Sequence, residues 1–118
     1  MVLVDTSVWV AHLRQGAIGL AALLHGGRVV GHPFIVGELA CGNLRNRSEI
    51  LSLLQKLPEA IRAAHEEIMQ FIENYGLMEK GLGYIDMHLL ASARLTGVPL
   101  WTLDKRLNKV VIKLGLAP

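Results

Sequence analysis

The residues best placed to do chemistry are four acids. The chain holds only three aspartates, Asp5, Asp86 and Asp104, and one glutamate, Glu38, is the lone charge of an apolar stretch. Asp5 follows the β-branched run Val2-Leu3-Val4, which suits a buried central strand of a parallel sheet. Asp104 follows a second such run, Leu100-Trp101-Thr102-Leu103. Each aspartate therefore falls where a strand leaves the sheet, and open parallel sheets bind ligands outside the carboxyl ends of their strands. Asp86 stands at the head of Ile85 to Arg94, whose stripe Ile85, Leu89, Leu90 and Ala93 faces inward on a helix. Glu38 lies within Phe34 to Cys41, and glutamate is rarely buried without a partner. The plainer alternatives are a favourable place in the helix dipole for Asp86 and a buried pair with an arginine for Glu38. Glu66, Glu67 and Glu73 lie opposite the stripe Ala64, Ile68, Phe71, Ile72 and Tyr75 and are read as solvated.

If these four acids meet, they repel one another and their pKa values rise unless a cation sits among them. Oxygen-only donors suit Mg²⁺ or Mn²⁺ rather than zinc, and a carboxylate-held ion of this kind activates water and steadies a phosphate. Asp5 is then the first direct ligand, with Asp86 and Asp104 next. Glu38 binds through water or orients the nucleophile. Thr6, Ser7 and Thr102 supply hydroxyls that hold the carboxylates or water in place, and Thr6 or Ser7 also suits a helix cap. His12, His25, His32, His65 and His88 are scattered, and no His or Cys pair has zinc spacing. Cys41 is alone and reads as a small buried hydrophobe; a reducing, cytoplasmic setting fits it.

The net charge of +2 comes from twelve Lys and Arg against ten Asp and Glu. Setting the four candidate acids apart leaves six against twelve, so the rest of the molecule carries +6. A basic body with an acidic pocket fits a protein that processes nucleic acid, since Lys and Arg hold phosphates.

These acids must be positioned by a scaffold that the remaining sequence describes as α/β. The composition, 52% hydrophobic but only 5% aromatic, suits an aliphatic core of helices packed on a parallel sheet. The length suits one domain over residues 1–118. No apolar run approaches the roughly 18 residues needed to span a bilayer, and the first residues lack the basic region of a signal peptide. After the first strand, helices are expected over Val8 to about Arg14 and Ile18 to Leu24, the second ended by Gly26-Gly27. A short strand follows at Arg28 to Val30, then a helix from about Phe34 to Cys41 after the turn at His32-Pro33. Arg45-Asn46-Arg47 forms a polar loop. Ser48 to Leu57 is helical with Ile50, Leu53, Leu54 and Leu57 on one face, and Glu59 to Ala63 is a short edge strand. Helices over His65 to Asn74 and Ile85 to Arg94 flank a glycine-bearing loop, Met78 to Tyr84. The last helix follows Asp104 with the stripe Leu107, Val110, Val111 and Leu114. Its row Lys105, Lys109 and Lys113 is read as solvated, with phosphate contact second. If the first and last strands are neighbours, Asp5 and Asp104 emerge side by side.

Taken together, four segments resemble the PIN-domain ribonucleases, and in particular the VapC-type toxins of bacterial toxin–antitoxin pairs. They are Val4-Asp-Thr-Ser-Val-Trp9, Glu38-Leu-Ala40, Ile85-Asp86 with Leu89-Leu-Ala-Ser-Ala93, and Leu100-Trp-Thr-Leu-Asp-Lys105. The resemblance covers nearly the whole chain. It implies a three-layer α/β/α sandwich around a central parallel sheet of four or five strands. It also implies a homodimer, Mg²⁺- or Mn²⁺-dependent endonucleolytic cleavage of RNA, and inhibition by a cognate antitoxin that wraps the toxin. By motif, Asp5, Glu38, Asp86 and Asp104 form the acidic quartet; no further acid stands near Asp86 or Asp104, so one metal ion or two remains open. An apolar groove for the antitoxin is expected near Leu23, Leu24, Leu53 and Leu54. The main alternative is a catalytically inactive RNA- or partner-binding α/β module. An aspartyl phosphatase is disfavoured because no second acid follows Asp5 before Glu38. A response receiver would want an acidic pair that this chain lacks.

Overall fold

The computed structural model describes residues 1–16 and 18–118. In chain order the elements are β1 (Val2–Val4), α1 (Thr6–Gln15), α2 (Leu20–His25), β2 (Val29–Val30), α3 (Pro33–Ala40), α4 (Arg47–Gln55), α5 (His65–Tyr75), α6 (Tyr84–Thr96), β3 (Leu100–Trp101) and α7 (Lys105–Lys113). The sheet is parallel with order β2-β1-β3, so the first strand is the central one. Its three residues are buried throughout, as a strand covered on both faces must be. The register sets Leu3 beside Leu100 and Val4 beside Trp101, and the Asp5 N–H donates to the Trp101 carbonyl at 2.9 Å. The residues that follow β1 and β3 therefore leave the sheet as neighbours.

The sheet has three strands among the described residues, not the four or five expected. The Glu59–Ala63 stretch joins only through a single bridge to Gly31, with Ala60 N–H donating to the Gly31 carbonyl at 2.9 Å. Pro58 has no N–H to extend a ladder, and the Ile61 N–H is taken by the Thr96 hydroxyl at 2.9 Å. The pairing thus stops after one step.

Around the sheet, α3 packs on α1 and α4, and α5 packs on α6. Helix α6 is buried over seven consecutive residues, Met87 to Ala93, which is the mark of a helix enclosed on nearly all sides. With Leu3, Val4, Val8 and Leu100 it forms the centre of the core. Helix α7 buries Leu107, Val110 and Val111 and leaves Lys105, Lys109 and Lys113 in solvent, as its periodicity predicts. Asp104 caps it, accepting from the Arg106 and Leu107 N–H groups at 2.9 and 3.0 Å. At α3, Pro33 fills the first turn and His32 acts as the cap, its Nδ1 accepting from the Phe34 N–H at 3.0 Å.

Three local expectations change. Helix α1 begins at Thr6, two residues before Val8, and neither Thr6 nor Ser7 caps it; Asp5 occupies the cap position without a side-chain cap bond. Cys41 is exposed rather than buried, because α3 ends at Ala40 and the chain then turns outward. Leu53 and Leu54 part company: Leu54 belongs to the core, whereas Leu53 is 55% exposed. Leu23 and Leu24 pack partly against the core, so the four leucines do not form one open groove. No helix among the described residues is long and apolar enough to cross a membrane.

Candidate active site

The centre of the site is Asp5, buried at the carboxyl end of the central strand. Its Oδ2 accepts two hydroxyl bonds, from Ser7 and from Thr102, each at 2.7 Å. Both follow from the fold. Ser7 lies in the first turn of α1, and Thr102 follows β3 directly beside the end of β1. The Thr102 Oγ1 also accepts from the Asp104 N–H at 3.0 Å, and the Ser7 Oγ accepts from the Leu103 N–H at 3.0 Å. A hydroxyl-centred network thus stitches the turn carrying Asp104 to the carboxylate of Asp5.

The other acids are held in the same manner, through one carboxylate oxygen each. Asp104 uses Oδ1 to cap α7. Asp86, in the first turn of α6, accepts from the Gly83 N–H through Oδ2 at 2.9 Å. Glu38 accepts from the Thr6 hydroxyl through Oε1 at 2.7 Å. Thr6 neighbours Asp5, so this bond ties α3 to the start of α1. Glu38 is exposed rather than buried, which removes the expected pairing problem.

Electrostatics join three of the four. The pKa of Asp86 is raised above 3.8, first by partial burial and then by the negative charges of Asp5 and Asp104; the bond from Gly83 opposes the rise. The three aspartates therefore feel one another across the sheet edge. Among the described residues, however, no three His, Cys, Asp or Glu side chains stand close enough to hold a metal ion together.

A cleft of about 580 Å³ opens beside this cluster. It is lined by Thr6 and Glu38 on one side and by Arg14, Asn43, Arg45 and Asn46 farther out. None of the three aspartates lines it, so the cleft neighbours the acid cluster and is not its floor. Sequence reasoning passed over Arg14 and Arg45 as surface charge. One signal was there: Thr6, Val10 and Arg14 recur at four-residue spacing along α1, and all three face the cleft.

Residues 2–113 match the family model described as PIN domain, and the chain belongs to the PIN-domain family. Within that family it stands with the VapC proteins. It is 39% identical over 118 residues to Ribonuclease VapC32 of Mycobacterium tuberculosis, from strain CDC 1551 / Oshkosh and equally from strain ATCC 25618 / H37Rv. The match spans 99% of this chain and 95% of that protein. Among solved structures, PAE2754 from Pyrobaculum aerophilum superposes with a TM-score of 0.60 at 16% identity, covering 97% of this chain and 88% of that one. That likeness establishes the shared fold.

Proposed function

We propose that this single domain is a metal-dependent endoribonuclease of the VapC type, a toxin restrained by a cognate antitoxin. The observation that carries the reading is the hydroxyl network joining buried Asp5 to the Asp104 turn through Thr102. It lies at the strand ends of a chain 39% identical to a protein named a ribonuclease.

The donor set fits a hard divalent ion. It is all oxygen, each acid keeps an oxygen beyond the one its hydrogen bonds use, and the raised pKa of Asp86 marks a place where positive charge is wanted. Mg²⁺ retains several waters and needs only one or two direct carboxylates, so a spacing too wide for three ligands remains compatible with it. Asp5, Asp86 and Asp104 would hold the Mg²⁺ or Mn²⁺. When bound, the ion supplies activated water near neutral pH and offsets charge developing on the phosphate oxygens. Ser7 and Thr102 orient Asp5. Thr6 fixes Glu38, which is placed to orient the attacking water. Arg14 and Arg45 offer the neighbouring cleft to the phosphates of the RNA strand. A cytoplasmic homodimer, with the antitoxin covering the acids, completes the proposal.

The wide spacing of the acids favours one second reading, a PIN-fold module that binds RNA or a partner without cutting. Purified protein incubated with a broad RNA panel in Mg²⁺, Mn²⁺ or EDTA separates the two. The nuclease reading expects cleavage that needs the metal and vanishes in Asp5→Asn, whose circular dichroism stays native. Absence of cleavage under every condition, with Asp5→Asn indistinguishable from wild type, favours the binding module.

A further inference from the structure

The chain has six aromatic residues, two each of Phe, Tyr and Trp. Trp9 and Phe71 are buried, and Tyr75 and Trp101 are half-buried. The two that remain exposed, Phe34 at 38% and Tyr84 at 43%, converge on one side chain, His88. Their ring centroids lie 4.7 and 4.6 Å from that of His88, at steep interplanar angles of 72° and 78°. His88 is itself only 5% exposed and is backed by His32, whose centroid is 6.5 Å away. The Tyr84 hydroxyl is held by His65 Nδ1 at 2.7 Å. Both exposed rings are therefore braced from behind and from the side, and both keep area open to water.

Their position is as informative as their exposure. Phe34 precedes Glu38 by four residues on α3, which puts the two on one face of that helix. Tyr84 opens α6 two residues before Asp86, whose carboxylate is pinned back to Gly83. The rings thus sit on the same two helices that carry two of the four acids. An aromatic face beside a phosphate-cleaving site matches one substrate feature well. An unpaired base stacks on such a ring whatever its identity, whereas a base inside a duplex has both faces covered.

We propose that Phe34 and Tyr84, braced by His88 and His65, form a stacking platform for an unpaired nucleobase next to the scissile phosphate. The chain would then select single-stranded or looped RNA. The proposal rests on the ribonuclease reading, and the two can fail separately.

The test measures anisotropy of a fluorescein-labelled uridine 12-mer and of a paired RNA duplex of equal length, both in EDTA so that nothing is cut. The variants are Tyr84→Leu with Phe34→Leu, which keep apolar bulk but lose the ring, and Tyr84→Phe, which keeps the ring but loses the bond to His65. Thermal unfolding by circular dichroism accompanies each. The expected result is single-strand affinity about tenfold weaker in the double leucine variant, with duplex binding unchanged and Tyr84→Phe within about twofold of wild type. In cleavage assays KM rises more than kcat falls. Unchanged single-strand binding in a folded leucine variant overturns the platform. So does equal loss for strand and duplex, or a change confined to self-association in sedimentation, which would make the patch a contact between copies. If the leucine variant loses single-strand binding but wild type cuts no RNA with either metal, the platform stands and the nuclease reading falls.

Discussion

Thr102→Val removes a single oxygen from the centre of the site and leaves the outline of the side chain nearly unchanged. Thr102 is buried, and its Oγ1 donates to the Asp5 carboxylate at 2.7 Å while accepting from the Asp104 N–H at 3.0 Å. A hydrogen bond to a charged group contributes about 1.5–3 kcal/mol, and a neutral backbone bond about 0.5–1.5 kcal/mol. Ser7 remains as the second donor to Asp5, so the carboxylate is not orphaned and the loss stays near the middle of that range. The expected cost is about 2–4 kcal/mol, or a Tm lower by about 8–16 °C for a domain of this size. Thr102→Ser keeps the hydroxyl and gives up one methyl group, which costs about 1 kcal/mol. Urea unfolding of the two variants side by side isolates the hydroxyl, because both alter the same packing. Cleavage should fall in Thr102→Val and persist in Thr102→Ser. A Thr102→Val protein within about 0.5 kcal/mol of Thr102→Ser would refute the reasoning that this hydroxyl holds the two aspartates in place.

Other expectations follow from the same geometry. The pKa of Asp86 is raised in the fold, so its ionisation opposes folding: its stability contribution is fully present below pH 3.8 and is lost as pH rises through the raised value. Asp86→Asn should therefore unfold at higher urea than wild type near pH 7 without metal, with the gain shrinking toward pH 3.8; added Mg²⁺ should stabilise wild type more than the variant. His32 is lowered from 6.5 to about 4, by burial first and then by the positive charges of His88 and Arg62. Between those values the unfolded chain binds the extra proton, so stability falls as pH drops from 6.5 to about 4, by about 3 kcal/mol at 1.36 kcal/mol per pH unit. His32→Asn keeps an acceptor for the Phe34 N–H and should flatten the urea midpoint over that window relative to wild type. An equally steep pH dependence in the variant would assign the effect to other groups.

Much of this arrangement was legible in the sequence because it rests on short-range rules. Val2–Val4 and Leu100–Trp101 are apolar throughout, and an acid follows soon after each; parallel pairing of such runs sets Asp5 and Thr102 side by side. The cap at Asp104 and the stripe of α7 are local and were read correctly. What escaped depends on contacts distant in sequence. Ser7 and Thr6 look like caps, but Asp5 and Glu38 take their hydroxyls instead. Glu38 looked buried because its neighbours are apolar, yet only Ile35 and Leu39 of α3 are buried, a stripe too narrow to include it. The fourth strand failed at Pro58 and at the Thr96 hydroxyl, which lies 35 residues beyond the backbone group it satisfies. The meeting of Phe34 with Tyr84 over His88 has no sequence signature, since it depends on how α3 and α6 are juxtaposed.

The central claim is that Asp5, Asp86 and Asp104 share one divalent ion. Crystals grown with Mn²⁺ and measured at its absorption edge test it most directly. The account predicts an anomalous peak within coordination distance of Asp5 and of at least one of Asp86 and Asp104, lost in Asp5→Asn. A Mn²⁺ peak away from these carboxylates, or one unchanged in Asp5→Asn, would contradict it.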